Sequence, residues 1–242
     1  MKLTDNLTEN ALVWEKAGFK LPLFNRDLVI EETRKNPQWI HFGAGNIFRA
    51  FPAAVHQSLL DQGLAVAGII VAEGFDYEII DKAYKPYNDL SVLIVLKSNG
   101  TIEKKVIGSV VESLKADSSS SHWLRLQEIF ASPSLQMASF TITEKGYSLK
   151  NAQGIFAADV EYDFENGPQQ PKNIMAKLAS LCLYRFQKGA NPIALVSMDN
   201  CSHNGTKLFE AVIAVAKKWA EKGFCTKDFI SYLENPQKVS FP

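Results

Sequence analysis

Residues 39–49 read Trp-Ile-His-Phe-Gly-Ala-Gly-Asn-Ile-Phe-Arg: a short apolar run, two glycines, and then residues with helical spacing. The run 39–42 is typical of a buried strand, and Gly43 ends it. In such a strand–turn–helix unit the first glycine permits a tight turn, and the second lets a phosphate group approach the backbone. The helix start adds N–H groups that lack partners within the helix. The predicted pyrophosphate site consists of Gly43, Ala44, Gly45, Asn46, Ile47, Phe48 and Arg49.

Two glycines alone also fit a turn that binds nothing, so the surrounding sequence has to separate the two interpretations. The third glycine of the usual dinucleotide pattern is absent, because Phe48 stands in its place. Residues 47–62 predict one helix that ends before Gly63. Its apolar face is formed by Phe48, Phe51, Val55 and Leu59. A second apolar strand is predicted at 64–72. A turn placed between two such strands favours the dinucleotide site.

A carboxylate follows the second predicted strand. Glu73 is placed where an acidic side chain can accept hydrogen bonds from the ribose hydroxyls of adenosine, and Asp76 is a second candidate. The sequence has no Lys or Arg between Arg49 and Lys82, so a 2′-phosphate would find no basic partner there. These residues favour NAD over NADP.

Strands and helices alternate along the rest of the chain. Asn99-Gly100 between two apolar runs predicts an inserted hairpin. The other predicted elements are hairpin strands at 90–96 and 101–111, a helix at 122–130, a strand at 136–142, a loop at 151–170, a helix at 171–188, a strand at 193–198, and helices at 205–222 and 227–233. Residues 1–37 predict a lead-in segment packed on one domain at 38–242. This alternation predicts the α/β class with a largely parallel sheet flanked by helices.

The composition excludes several kinds of protein. The 242 residues carry 26 Lys plus Arg and 26 Asp plus Glu, a balance that argues against a nucleic-acid partner. Three cysteines without C-x-x-C spacing predict neither a disulfide framework nor a structural zinc site, and we expect no bound metal. With no signal-like N-terminus and no apolar run long enough for a bilayer, we expect a cytoplasmic protein without membrane contacts.

Four segments, in order, resemble the polyol-specific long-chain dehydrogenases, the family of the mannitol dehydrogenases. They are residues 41–51 (HFGAGNIFRAF), 106–110 (VIGSV), 139–147 (SFTITEKGY) and 197–205 (SMDNCSHNG). The family's glycine turn is G-x-G-x-x-x-R, which the chain matches through Arg49. The resemblance implies a Rossmann-like NAD-binding domain and hydride transfer between the cofactor and a sugar acid or polyol. The turn is most similar to that of the fructuronate reductases, which implies D-fructuronate or D-mannonate as substrate.

The resemblance also assigns residues outside the glycine turn. Asn200 matches a family asparagine that forms part of an oxyanion hole beside the reacting carbon. Thr143 and Glu144 match a segment near the ribose or nicotinamide of the cofactor. Without the resemblance, Asp199-Asn200 after a strand is typical of a turn and helix cap. For His203 and Asn204 two interpretations stay open, a cap of the following helix or a place in the lining of the site, and we favour the cap.

The last residues, 239–242, resemble the family's passage into a mostly helical C-terminal domain that carries the catalytic lysine. We therefore expect this chain to lack that domain and to be inactive alone. Two other dehydrogenases stay open as alternatives, mannitol 2-dehydrogenase and mannitol-1-phosphate 5-dehydrogenase. A non-catalytic NAD-binding module is an alternative of another class, and the sequence leaves the oligomeric state open.

Overall fold

The computed structural model describes residues 2–4, 7 and 9–242. Part of the predicted lead-in segment, at residues 1, 5, 6 and 8, lies outside them. The chain forms two compact units, Met1–Leu114 and Lys115–Pro242, and each is described by itself. No helix within the described residues is long and apolar enough to cross a membrane.

The first unit carries two sheets. Its helices are α1 (Ala11–Lys16), α2 (Arg26–Lys35), α3 (Asn46–Ala50) and α4 (Pro52–Asp61). Its strands are β1 (Phe19–Lys20), β2 (Trp39–Phe42), β3 (Ile69–Glu73), β4 (Ser91–Leu96), β5 (Ile102–Ile107) and β6 (Val110–Lys115), the last ending at the unit boundary. β2 and β3 are parallel, and β6 lies next to β3. A smaller sheet has the order β1-β5-β4, with β4 and β5 antiparallel.

The predicted hairpin is confirmed between β4 and β5. The amide of Lys97 donates to the carbonyl of Thr101 (3.0 Å), and Gly100 has φ +81°. The Asn99 side chain accepts from the Thr101 amide at 3.0 Å. Gly100 is therefore needed for its left-handed backbone, which residues with a Cβ adopt at a cost.

The single helix predicted at 47–62 is wrong, because the chain breaks at Phe51 (φ −121°, ψ −72°) into α3 and α4. Pro52 starts α4, where its missing N–H does no harm. The predicted apolar face is wrong as well. Phe48 is fully buried, whereas Phe51 is 69% and Val55 51% exposed. The buried residues of α4 are Pro52, Ala53, Gln57 and Leu60.

Two predicted strands are too long. The strand predicted at 64–72 is β3, which begins only at Ile69 and ends at Glu73. The strand predicted at 101–111 is divided into β5 and β6 by Gly108 and Ser109. A Cβ on Gly108 would lie 3.1 Å from the Pro22 side chain, so the chain packs closely against the N-terminal segment at the break.

The second unit has one parallel sheet. Its strands are β7 (Met137–Phe140), β8 (Ile193–Ser197) and β9 (Val239–Ser240), with β8 parallel to both neighbours. Its helices are α5 (Ser121–Ala131), α6 (Thr143–Gly146), α7 (Ala158–Asn166), α8 (Ile174–Gln187), α9 (Asn204–Glu221) and α10 (Lys227–Glu234). The largely parallel α/β architecture with an inserted hairpin is thereby confirmed.

Two predictions in the second unit need correction. The loop predicted at 151–170 contains α7, which buries Val160, Asp163 and Phe164. The helix predicted at 171–188 begins only at Ile174, because the Asn173 side chain caps it by accepting from the Met175 amide at 2.9 Å.

A buried arginine joins several loops of the second unit. Arg185 on α8 is fully buried, and all five of its N–H groups donate to main-chain carbonyls. The accepting residues are Phe130, Ser132, Leu135, Asn191 and Pro192, at 2.7–2.9 Å. The guanidinium thus ties together main-chain carbonyls around the short loops before β7 and β8.

Candidate functional site

The glycine turn joins β2 to α3 at the carboxyl end of β2. Gly43 has φ +114°, a backbone that glycine adopts readily, and its amide continues the β2–β3 ladder by donating to the Ala72 carbonyl at 2.9 Å. Gly45 differs, because its φ of −73° and ψ of −179° suit any residue. A Cβ built on Gly45 has no atom within 4 Å. The fold therefore requires glycine at position 43 but leaves open space beside position 45.

Glu73 binds the glycine turn directly. Its Oε2 accepts from the Ala44 amide at 2.8 Å. Its Oε1 accepts from the amides of Phe75 (2.9 Å) and Asp76 (3.3 Å). Asp76 itself is exposed. One carboxylate thus links the turn after β2 to the loop after β3.

A tyrosine that the sequence analysis missed holds the other side of the turn. Tyr84 ends a π-helical segment, Ile80–Tyr84, and its hydroxyl donates to the Ala44 carbonyl at 2.9 Å. Burial raises the pKa of Tyr84 well above its usual value, so the hydroxyl keeps its proton. The Arg49 guanidinium lies 5.7 Å from the centre of this ring and also bonds to the Asn46 carboxamide.

The other predicted residues of the turn differ in how far their side chains are exposed to solvent. Ile47 is 70% exposed, whereas Phe48 is buried and stacks on His41 with 4.2 Å between ring centres. The Phe48 side chain therefore faces the core, and only its backbone is available to a ligand. Asn46 and Arg49 line an open cleft of about 480 Å³. Because α3 has only five residues, its aligned peptide dipoles are fewer than the long predicted helix implied.

A second group of predicted residues meets in the second unit. The segment after β7 and the loop after β8 are joined by Asp199, whose Oδ2 accepts from the Ile142 amide (2.9 Å) and the Tyr147 hydroxyl (2.6 Å). Its Oδ1 accepts from the Thr143 amide at 3.0 Å. Burial, followed by the bond to Asp199, holds the pKa of Tyr147 far above its usual value. The interpretation of Asp199 as a helix cap is therefore wrong, since its side chain binds another segment.

Asn200 is exposed at this loop, and no hydrogen bond joins its side chain to another described residue. The Asn204 side chain donates to the carbonyls of Asp199 (2.9 Å) and Ser197 (3.3 Å). His203 precedes α9, but its side chain makes no capping bond. Thr143 and Glu144 are exposed. The carboxylate of Glu144 pairs with Lys207.

Both groups share one feature of their position. The glycine turn and Glu73 lie at the carboxyl ends of β2 and β3 within the first unit. In the second unit, residues 142–144 and 199–200 follow β7 and β8. In open parallel sheets, ligands bind outside the carboxyl ends of the strands. Each group therefore lies where sheets of this kind bind ligands.

Comparison with known proteins identifies the family of the chain. Residues 37–242 match the family model of the mannitol dehydrogenase Rossmann domain. The chain belongs to the mannitol dehydrogenase family. This confirms the resemblance drawn from the four sequence segments, and the relatives of this chain are named as oxidoreductases and dehydrogenases.

Individual relatives show how much of a longer enzyme the chain represents. It is 48% identical to the D-mannonate oxidoreductase of Thermotoga maritima over 242 residues, which cover 100% of the chain and 44% of that protein. It is 26% identical over 198 residues to the polyol:NADP oxidoreductase of Gluconobacter oxydans, which covers 77% of the chain and 40% of that protein. The chain spans less than half the length of these relatives.

A solved structure supports the fold. Pseudomonas fluorescens mannitol 2-dehydrogenase, a ternary complex with NAD and D-mannitol, has a TM-score of 0.77 and 24% identity to this chain. The match covers 100% of the chain and 46% of that structure. The Rossmann-like fold predicted from the resemblance is thereby confirmed.

Proposed function

We propose that this chain is the NAD-binding part of a dehydrogenase that transfers a hydride between the nicotinamide and a sugar acid or polyol. The observation that carries the proposal is the open space beside Gly45. Neither its backbone angles nor its packing requires a glycine, yet the missing side chain leaves room beside the turn. A ligand phosphate that approaches the backbone supplies the reason for glycine there. The pyrophosphate would lie against residues 43–49, with Arg49 as the nearest cation of the turn.

NAD rather than NADP is supported by the chain's own carboxylate. Glu73 uses three of about four acceptor positions on main-chain N–H groups, which leaves one for a ribose hydroxyl. A 2′-phosphate at the same place would meet this negative charge. The Gluconobacter oxydans relative is named for NADP, so the coenzyme proposed here rests on Glu73 rather than on family membership. The second candidate, Asp76, is exposed and contacts Glu73 only through its main-chain amide.

The proposed substrate is D-fructuronate or D-mannonate, supported by the 48% identity to a D-mannonate oxidoreductase. NAD, when bound, would accept or supply the hydride. Asn200 would donate its side-chain N–H to the substrate oxygen, which carries alkoxide-like charge during the transfer. Thr143 and Glu144 would lie beside the cofactor. The resemblance places the lysine base on a helical domain after the matched region, so we propose that turnover requires that domain in addition to residues 38–242.

The proposed setting is the cytoplasm, with a small-molecule partner and neither nucleic acid nor membrane. Equal numbers of acidic and basic residues, 26 of each, support the absence of a nucleic-acid partner. A basic excess would be expected of a protein that binds the phosphate backbone of a nucleic acid.

The variant Gly45→Ala tests the proposal. Because the position accepts a Cβ, we expect folding to be retained, with unfolding stability equal to the wild type or about 0.4–1 kcal/mol higher. The new methyl group would occupy the space proposed for the pyrophosphate, so the dissociation constant for NADH should rise about tenfold or more, or about 1.4 kcal/mol. Calorimetric titration with NADH measures the effect.

Gly43→Ala is the contrasting variant. The φ of +114° at Gly43 disfavours a residue with a Cβ, so this change should lower the unfolding midpoint of the protein. A folded Gly45→Ala protein that binds NADH as tightly as the wild type would show that the space beside the turn is not a cofactor site.

A further inference from the structure

Asp199 is surrounded by hydrogen-bond donors from another segment of the second unit. The amides of Ile142 and Thr143 donate to its two carboxylate oxygens at 2.9 and 3.0 Å. The Tyr147 hydroxyl adds a third bond at 2.6 Å and also lies 2.7 Å from the Ser197 hydroxyl. Hydrogen bonds to an ionised carboxylate are stronger than those between neutral groups.

The backbone at 142–143 has the form of an anion-binding nest. Ile142 lies in the bridge region beside the right-handed helical region, with φ −115° and ψ 8°, and the next residue, Thr143, has φ +66°. Successive residues in right-handed and then left-handed conformations turn neighbouring N–H groups toward one point, where an anion binds. A β-branched residue adopts the left-handed conformation only when its surroundings hold it there. The carboxylate of Asp199 is the anion that fills this nest.

The main chain of Asp199 is also held. Its carbonyl accepts from the side chain of Asn204 and from the amide of Cys201, both at 2.9 Å. The next peptide unit belongs to Asn200, the exposed amide assigned to the substrate oxygen. The backbone before Asn200 is thus fixed from two directions, although the Asn200 side chain itself is exposed.

We propose that Asp199 is a positioning residue whose carboxylate fills the nest at Ile142 and Thr143 and so sets the loop carrying Asn200 against the segment carrying Thr143. This inference rests on the proposed function, because it concerns two segments assigned to the cofactor and substrate. In this role Asp199 acts through the two segments rather than by contact with a ligand. It acts by holding both segments in a conformation that Thr143 would otherwise leave.

The test compares Asp199→Asn with Lys207→Met in the full chain. Asparagine keeps the shape but turns an NH₂ group toward donors, so exchange of the Ile142 and Thr143 amides should accelerate about tenfold or more. Lys207→Met removes an exposed ion pair between α9 and Glu144, which follows Thr143, and such pairs contribute little. We expect exchange in that control to stay within about twofold of the wild type. Amide exchange followed by NMR gives both rates, and an NADH titration accompanies each protein.

The outcomes separate this inference from the proposed function. Faster exchange together with weaker NADH binding in Asp199→Asn supports the positioning role. Unchanged exchange contradicts it, and so does faster exchange with wild-type NADH affinity, which would reduce Asp199 to a structural residue. A folded wild-type chain that binds no NADH overturns the proposed function. The claim that Asp199 holds the nest is then tested by the exchange rates alone.

A second variant covers the case in which Asp199→Asn does not fold. Thr143→Gly added to Asp199→Asn removes the need for a carboxylate to hold the left-handed residue, since glycine adopts that conformation freely. We expect the double variant to fold. If the double variant also failed to fold, the loss of the carboxylate at Thr143 would not be the cause of unfolding. That result would contradict the role proposed for the nest.

Discussion

The carboxylate of Glu73 does two things at once in this structure. It holds the Ala44 amide in the glycine turn and the amides of Phe75 and Asp76 in the loop after β3. Its remaining acceptor position is the one proposed for a ribose hydroxyl. The shape of the turn and the choice of coenzyme therefore depend on the same side chain.

Replacing Glu73 with Gln should affect both properties. Glutamine has one acceptor oxygen where the structure uses two, so the free energy of unfolding should fall by about 1–3 kcal/mol. The NADH dissociation constant should rise about tenfold, and the preference for NADH over NADPH should narrow because the negative charge is gone. Urea unfolding and parallel titrations with both coenzymes measure these changes.

Asp76→Asn is the matched control, since Asp76 is exposed and only its main chain contacts Glu73. It should keep the wild-type coenzyme preference. The assignment to Glu73 would be refuted if Asp76→Asn lost the preference and Glu73→Gln retained it.

Residues that belong to a sequence pattern could be found without a structure. Gly43 and Gly45 were predicted from the strand–turn–helix pattern, and Glu73 was predicted from its place after the second strand. Tyr84 could not be predicted, because it reaches the Ala44 carbonyl from 40 residues away and belongs to no motif. Tyr147 lies within the family segment 139–147, but its contact with Asp199, 52 residues away, could not be predicted from the sequence.

At the scale of elements, β2 carries a histidine that burial keeps neutral. His41 is fully buried beneath the turn, and desolvation lowers its pKa from 6.5 to about 3. The folded protein then binds fewer protons than the unfolded chain between these two values. Stability should therefore fall as the pH drops below 6.5, by at most about 1.4 kcal/mol per pH unit from this group.

His41→Phe tests this dependence while it keeps an aromatic ring against Phe48. The variant should lose the contribution of His41, so its stability should decline less steeply between pH 6.5 and 4 than that of the wild type. Thermal or urea unfolding at several pH values gives the slopes. Equal slopes in the two proteins would show that His41 takes up its proton without unfolding.

Helix boundaries and faces were the weakest sequence predictions. The spacing of Phe51, Val55 and Leu59 suggested a buried face, but Phe51 and Val55 are mostly exposed, and α4 instead buries Ala53, Gln57 and Leu60. Spacing identifies residues that share a helix face, but it does not say which face meets the core. Gln57 illustrates the difference, since its carboxamide donates to the Val106 carbonyl (2.9 Å) and accepts from the Gly108 amide (2.6 Å).

At the scale of the whole molecule, the sequence was sufficient for the fold class and the family. Alternating strands and helices predicted the parallel α/β architecture, and four short segments carried the family resemblance that the match at 37–242 confirmed. The proposed substrate has less support than the fold class and the family. The chain covers 44% of its D-mannonate oxidoreductase relative, and the resemblance places the proton-transferring lysine outside the matched region.

Equilibrium titration of the wild-type chain with NADH, and in parallel with NADPH, tests the central claim most directly. The account predicts saturable NADH binding and NADPH binding weaker by about tenfold or more, since a 2′-phosphate would meet the Glu73 carboxylate. Equal or tighter binding of NADPH would contradict the role given to Glu73. Folded protein that binds neither coenzyme would contradict the claim that this chain forms a nicotinamide-dinucleotide site.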